Sequence, residues 1–492
     1  MLSVSAASTA FNVNRVKRQL EVWLGKENVS DAEVDKINYS RDAWPLRLLR
    51  LGRLIIEAKP DLIVWPQTVE QIQRIVKLAN QESIPIIPVS GAGGVAGGIL
   101  ATTGGIIVDV KKMNRVLFLD EESFTVTVEP GILGYELEEY LEARGYTTGH
   151  LPSSIYSSAL GGFAAARSAG VLSSKYGKIE DMITGLEVVL PTGELLRTKA
   201  VPRSSMGPDL KQLFIGSEGT YGIITELTLR IAPSPEETQF ASFLFPDLHS
   251  GMNAVKQVFR QDLKPALIRL YDENETRFVL SRFKPPSDGA CVLNFIYRAT
   301  KDFVRLEKRT VTKICLEGGA EDLGPGPSKH WWNNRFDLYY PSSMNMGPGM
   351  LYDVLDVASS YANLEKMYWE MRKAIEAFGV GTMSHFSHFY PDGGNIYVIF
   401  VGHANSPEEV ETKYQQIWDA GLEAAHRAGG TLSHQHGVGL LKAPWMPIEH
   451  GETGFALLQA IKQYLDPNNI MNPGKLGFGN ETSKFPKEGA SQ

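Results

Sequence analysis

A chain of 492 residues, 43% hydrophobic and 21% charged, carries enough apolar side chain for two or three domains with large cores and needs no disulfide or metal staple. Its formal net charge of −7 disfavours binding of nucleic acid or of an anionic membrane through bulk field. Two cysteines, Cys291 and Cys315, are too few for a disulfide framework or a zinc site, and they read as buried residues of a protein from a reducing compartment.

No apolar run approaches the ~20 residues that span a bilayer, and residues 1–15 lack the pattern of a secretory leader. A cytoplasmic protein is expected. Peripheral membrane contact through a shallow amphipathic helix stays open.

Residues 1–55 read as a helical preamble, with basic residues at Arg15, Lys17 and Arg18 and again at Arg47, Arg50 and Arg53. After Pro60 the pattern changes. Residues 61–65 are a short apolar run stopped by Pro66, which predicts a strand. Val69, Ile72, Ile75, Val76 and Leu78 then recur near helical spacing behind Thr68, a possible cap, so 68–81 predict a helix. Residues 84–89 predict a strand despite Pro85 and Pro88. A glycine-rich loop follows, and 105–110 predict a third strand. This β-α-β-loop-β order belongs to an α/β unit.

Residues 114–130 alternate as a half-buried hairpin does, and Leu133, Leu137, Tyr140 and Leu141 predict a helix over 133–144. Two more strands are expected at 183–190 and 222–232. Composition changes after Pro233-Ser234-Pro235, where a domain boundary is placed. Beyond it, strands near 240–244, 266–270, 291–297 and 396–401 mix with helices near 250–262, 361–378 and 407–428. That mixture suits an antiparallel sheet with helices on one face. The polar tail after Thr482 is expected to fray.

Three segments of the first half are rich in small residues. Pro88, Val89, Ser90, Gly91, Ala92, Gly93 and Gly94 open a stretch to Gly98 with five glycines in eleven residues. Glycine lets backbone N–H groups approach a pyrophosphate with no Cβ in the way. The stretch has neither the Rossmann spacing nor the Walker lysine. Ser153, Ser154, Ser157, Ser158, Ala159, Gly161 and Gly162 offer similar chemistry, as do Glu218, Gly219 and Gly222 ahead of Ile223 and Ile224. Each could be an ordinary connection. Together they favour a large, extended, polar ligand.

These segments, with Tyr176-Gly177, Glu180-Asp181 and the late run from Asp466 through Asn472-Pro473-Gly474-Lys475, resemble the vanillyl-alcohol-oxidase type of FAD enzyme over roughly residues 55 to 480. The resemblance implies an α+β fold: a two-part FAD-binding domain (56–235), an α+β substrate or cap domain (236–440), and a C-terminal segment (441–492) that returns to the FAD domain. It adds Ala166 and Ser168 to the cofactor contacts. Met113-Asn114-Arg115, Gly145 to His150, Ile268-Arg269-Leu270 and Gly429 to Gly439 further resemble the alkyldihydroxyacetonephosphate synthases. Those enzymes exchange the acyl chain of acyl-dihydroxyacetone phosphate for a fatty alcohol, with no net redox change. The substrate is then a small molecule, possible as a lipid phosphate, and a homodimer is expected.

The resemblance assigns chemistry to Tyr397, His434 and His436, and substrate binding to Arg335 and Arg269. A phenol and imidazoles can move the proton beside a keto carbonyl. Arginine recognises phosphate or carboxylate with a fork of N–H donors. Arg269 sits in an apolar run and asks for a buried partner. Arg335 sits among Trp331, Trp332 and Phe336, where a cation–π contact would equally explain it. The family's histidine triplet is here His434-Gln435-His436. Relatives that bind FAD covalently carry a histidine in the first glycine loop, where this chain has Gly93, so dissociable FAD is expected.

A second use of the architecture is the FAD-linked D-2-hydroxy-acid dehydrogenase or another alcohol oxidoreductase. Many of those dehydrogenases bind a metal through two histidines flanking Asp-Gly-Asn and a later Glu-His-Gly. Here His388 is present, but Tyr397 and Gln435 stand at the places of the second histidine and the glutamate. Both bind divalent metals poorly, so no metal site is expected.

Overall fold

The computed structural model of the chain describes residues 11–282, 286–337 and 349–479. Its first lobe rests on a four-stranded sheet. Leu62–Val64, Ile106–Asp109 and Ile86–Val89 run parallel in that spatial order, and Val29–Ser30 adds an antiparallel edge. Both faces of the parallel strands are covered, which is why they read as unbroken apolar runs. One face packs Leu62, Val64, Ile106 and Val108 under helices Val13–Leu24 and Val69–Glu82. The other packs Ile63, Ile87 and Ile107 with Tyr39 and Ala101. The first 55 residues therefore contribute a strand to this sheet as well as helices.

Pro88 is tolerated because Ile86–Val89 is the edge strand. The outer side of that edge is closed by the far end of the chain. Ile86 donates its N–H to the Ile470 carbonyl and accepts from Asn472, both at 2.7 Å.

The second lobe is a five-stranded antiparallel sheet in the order Val116–Asp120, Thr125–Val128, Ile223–Arg230, Ile183–Val189, Leu195–Arg197. Its core includes helices Gly134–Glu142 and Leu160–Ala166 and takes in Met446, Leu476 and Phe478 from the C-terminal segment.

The cap is one antiparallel sheet in the order Glu321–Gly324, Glu237–Phe245, Cys291–Ala299, Leu267–Tyr271, Gly381–Phe386, Gly393–His403, Met350–Ser360, with Phe389–Tyr390 pairing beside Gly393–His403. Helices Leu248–Arg260, Lys301–Glu317, Tyr361–Glu376 and Pro407–Arg427 share one core with it. Side chains alternate across a strand. Ile268, Leu270, Leu355, Val357, Phe386, Ile396 and Val398 enter that core. Their neighbours in sequence, Arg269, Tyr271, Asp356, His385 and Tyr397, belong to the other face. Register then sets Tyr271 opposite His385, His385 opposite Tyr397, and Tyr397 opposite Asp356. Four neighbouring strands thus deliver a polar row to the face away from the helices. Among the described residues no helix is long and apolar enough to cross a membrane, and both cysteines are buried and free.

Candidate active site

The three small-residue segments meet. A Cβ on Gly91 would lie 2.5 Å from the Ser157 carbonyl oxygen and 2.6 Å from Ser158 Cα; one on Gly162 would lie 2.9 Å from Ser90 Oγ; one on Gly219 would lie 2.9 Å from Pro88 Cγ. Only glycine permits such an approach of loop to loop. The cavity they enclose is about 970 Å³. All the cofactor residues expected from the sequence line it except Ser157, whose carbonyl instead backs Gly91. Glu218 lines the cavity, yet its buried carboxylate is spent elsewhere, accepting N–H from Val438 at 2.6 Å and Gly439 at 2.8 Å.

Tyr397, Gln435 and His436 line the same cavity. The Tyr397 hydroxyl lies 3.1 Å from His436 Nε2, and the Gln435 side-chain amide donates to it. His385 stacks on the Tyr397 ring at 4.9 Å and holds both oxygens of Glu275 at 2.8 and 2.9 Å. Burial pushes the His436 imidazole down, against the pull of Asp356, so it is neutral and able to accept a proton.

Charged side chains grip the loop carrying His434, Gln435 and His436 by its backbone and by the hydroxyls of Thr431 and Ser433. Glu449 accepts from Thr431 Oγ1 and the Leu432 N–H. Lys442 donates to Ser433 Oγ at 2.8 Å, and Lys178 donates to the His434 carbonyl. Asp356 Oδ2 accepts the N–H groups of Gln435 at 2.7 Å and His436 at 3.1 Å. Burial raises the Asp356 carboxyl, while the Lys442 ammonium and the Gln435 N–H draw it down. Asp356, Lys442 and Lys178 were not among the site residues expected from sequence. A buried acid inside the apolar run of Met350–Ser360 was the available signal.

His434 and His436 part company. His434 lines a second cavity, of about 500 Å³, for which the loop forms a wall. Its Nε2 lies 2.9 Å from the Tyr390 hydroxyl, and burial pushes it down to about 3. The two arginines lie outside the lining of the main cavity. Arg269 finds the buried partners its position required: Nε donates to the Tyr271 hydroxyl at 2.9 Å, and Glu275 lies 3.7 Å away. Arg335 stacks on Trp332 at 3.8 Å and Phe336 at 4.2 Å, and donates to the Trp332 carbonyl. Its buried Nε has no partner among the described residues, and burial brings the guanidinium down to about 10. Such a group calls for an anion.

Comparison with known proteins agrees with this geometry. Residues 60–199 match the FAD binding domain, and residues 234–476 match the C-terminal domain of FAD linked oxidases. Alkyldihydroxyacetonephosphate synthase of Dictyostelium discoideum is 31% identical over 93% of this chain and 80% of its own length. The mitochondrial D-lactate dehydrogenase [cytochrome] of Arabidopsis thaliana is 31% identical over 85% of this chain and 73% of its own. A solved alkyldihydroxyacetonephosphate synthase superposes with a TM-score of 0.79 at 27% identity, covering 96% of this chain and 86% of that one. FAD is the cofactor, and the glycine cradle with its exposed backbone fits an extended dinucleotide. Two-part flavin domain, antiparallel cap and sequence together make the chain a FAD-dependent enzyme of the FAD-linked oxidase family, built on the vanillyl-alcohol-oxidase fold.

Proposed function

We propose that the chain exchanges the acyl chain of an acyl-dihydroxyacetone phosphate for a fatty alcohol, the activity that its resemblance to the alkyldihydroxyacetonephosphate synthases implies. One observation carries this reading. The cavity that holds Tyr397, Gln435 and His436 is also lined by apolar Leu48, Leu49, Val354, Pro407 and Val410, with Arg53 and Asp353. An aliphatic chain needs such an apolar lining, and a short hydroxy acid does not.

In this reading the Tyr397 phenol, backed by neutral His436 at 3.1 Å, handles the proton beside the keto carbonyl. Gln435 fixes the phenol's direction through its amide donor. Arg335, whose Nε has no partner among the described residues, and Arg269 supply cations for the phosphate. FAD, when bound, supplies an electron-deficient ring against which the substrate carbon can react. With Gly93 at the place of the linking histidine, that FAD is held non-covalently.

The alternative, oxidation of a D-2-hydroxy acid, draws support from the D-lactate dehydrogenase relative. It is weakened by Tyr397 and Gln435, which stand at the positions of metal-binding residues and bind divalent metals poorly. The two readings separate in one anaerobic experiment. FAD-loaded protein is mixed with palmitoyl-dihydroxyacetone phosphate and hexadecanol, and in parallel with D-lactate and D-glycerate. Release of palmitate with formation of the alkyl ether, without an oxidant, is the expected result. Bleaching of the flavin by a hydroxy acid with no acyl exchange would overturn it.

A further inference from the structure

We propose that Arg298 joins Arg335 as the second arm of a clamp for the phosphate of the substrate, so that the site selects a phosphate monoester over a simple carboxylate. The assignment of that phosphate to the substrate rests on the function proposed above; the clamp does not.

Strand alternation places the new arm. Asn294 pairs with Arg269 and Ile296 with Leu267, so Arg298, two residues beyond Ile296, lies on the face of the cap sheet that carries Arg269. Trp331 and Trp332, from helix Gly326–Asn334, pack on Leu267 and Ile296 at that face. Each indole takes cations on its ring. Arg269 lies 5.0 Å from the Trp331 centroid, while Arg335 at 3.8 Å and Arg298 at 5.7 Å both lie over Trp332. One ring thus gathers two guanidinium groups. The patch borders the flavin site, because Phe336 meets Tyr156 edge-on at 5.0 Å. Tyr156 belongs to the loop whose Pro152, Ser153 and Ser154 line the main cavity.

The positive charge there is not neutralised. Arg298 Nε and Nη1 and Arg335 Nε are buried with no hydrogen-bond partner among the described residues. Arg269, by contrast, has Glu275 at 3.7 Å. Lys175 brings a third cation, donating to the Arg298 carbonyl. Burial pushes the Lys175 ammonium and the Arg335 guanidinium down, and Arg298 pushes both further, against the pull of Glu307 on the lysine and of Tyr156 on Arg335. A ring face attracts a cation but supplies no net negative charge. Neither arginine is fully buried, so an anion from solution can reach them. A phosphate monoester carries about −1.5 to −2 charges at pH 7 and three terminal oxygens, enough for two guanidinium forks. A carboxylate has a single charge and two oxygens, which one fork satisfies.

Calorimetric titration of the FAD-loaded protein tests the clamp without turnover. The parent should bind dihydroxyacetone phosphate more tightly than D-lactate. Arg298→Gln should weaken the phosphate ester by about tenfold or more and close most of that gap. Arg298→Lys should recover only part, since an ammonium keeps the charge and loses the fork. Because Arg298→Gln gives up buried donors that lack partners, its melting temperature should not fall, which separates a binding role from a structural one. With palmitoyl-dihydroxyacetone phosphate and hexadecanol, KM for the phosphate substrate should rise about tenfold while kcat stays within about twofold. Inorganic phosphate should displace the ester. Equal affinity of parent and Arg298→Gln for the ester would overturn the clamp, as would a parent that does not bind the ester or a variant that melts lower. Inorganic phosphate that binds without displacing the ester would mark an unrelated anion site and overturn the assignment to substrate. If the parent forms no ether, the function proposed above falls, and the titration decides the clamp alone.

Discussion

Asp356 of the cap sheet and Glu218 of the flavin domain hold the same loop, each through two backbone N–H groups. Asp356 takes those of Gln435 and His436, and Glu218 those of Val438 and Gly439. The cap sheet and the flavin-binding part thus together fix the reach of one imidazole toward Tyr397.

Asp356→Asn can still turn one oxygen to the two N–H groups but removes the charge that strengthens both bonds. A hydrogen bond to a buried charged group contributes about 1.5–3 kcal/mol, and a misplacement of about 1 Å at a reacting group costs roughly 100-fold in rate. The variant should melt at a lower temperature and turn over at least tenfold more slowly, by the same reasoning. Calorimetry together with steady-state kinetics checks both, and parent-like values in each would contradict the positioning role.

Gly91→Ala places a methyl group 2.5 Å from the Ser157 carbonyl oxygen. Two of the cradling segments must then separate. The protein should purify with little yellow colour and bind added FAD at least tenfold more weakly, since loss of about 1.4 kcal/mol is tenfold in affinity. Absorbance at purification and a fluorescence titration with FAD measure the effect.

Tyr397→Phe keeps the ring that stacks on His385 and removes the hydroxyl between Gln435 and His436. Turnover should fall by about 10²-fold or more while FAD content stays at the parent level. A variant that is equally active on the true substrate would remove the phenol from the chemistry.

His150 offers a test of stability against pH. Among the described residues both its ring nitrogens are buried without partners, its ring meets Phe163 edge-on at 4.9 Å, and burial pushes it from the ordinary 6.5 to about 3. Below pH ~6.5 the unfolded chain takes up a proton there and the folded chain does not, so this contribution to stability is lost as pH falls from ~6.5 toward ~3. Each pH unit in that window corresponds to about 1.4 kcal/mol. From pH 7 to pH 5 the parent should therefore lose about 2 kcal/mol more than His150→Leu. Urea denaturation at the two pH values reads the difference, and identical losses would refute it.

The parts of the fold that could be read from sequence are those with a single local pattern. The parallel strands Leu62–Val64 and Ile106–Asp109 are apolar on both faces, and Leu248–Arg260 and Pro407–Arg427 keep one apolar stripe. Met350–Ser360 escaped that kind of reading because Asp353 sits on its core-facing side, between Leu351 and Leu355. The aspartate is stabilised there by donors from Tyr414 and Trp418, 61 and 65 residues away. Without that strand, Asp356 could not be recognised as the anchor of the histidine loop. The glycine cradle was legible because close backbone approach leaves its mark in composition. Tyr397 and His436 were legible only through family resemblance. The parting of His434 from His436 was not, because two residues at i and i+2 in an irregular loop have no fixed relative direction.

The parallel sheet of the first lobe is bounded by Ile86, and what pairs with Ile86 is the stretch around Met471. During synthesis, that lobe must wait with one border unsealed while nearly four hundred further residues emerge. A nascent chain halted before Met471 would leave Ile86, on the border strand Ile86–Val89, without its backbone partners and open to pairing with another chain.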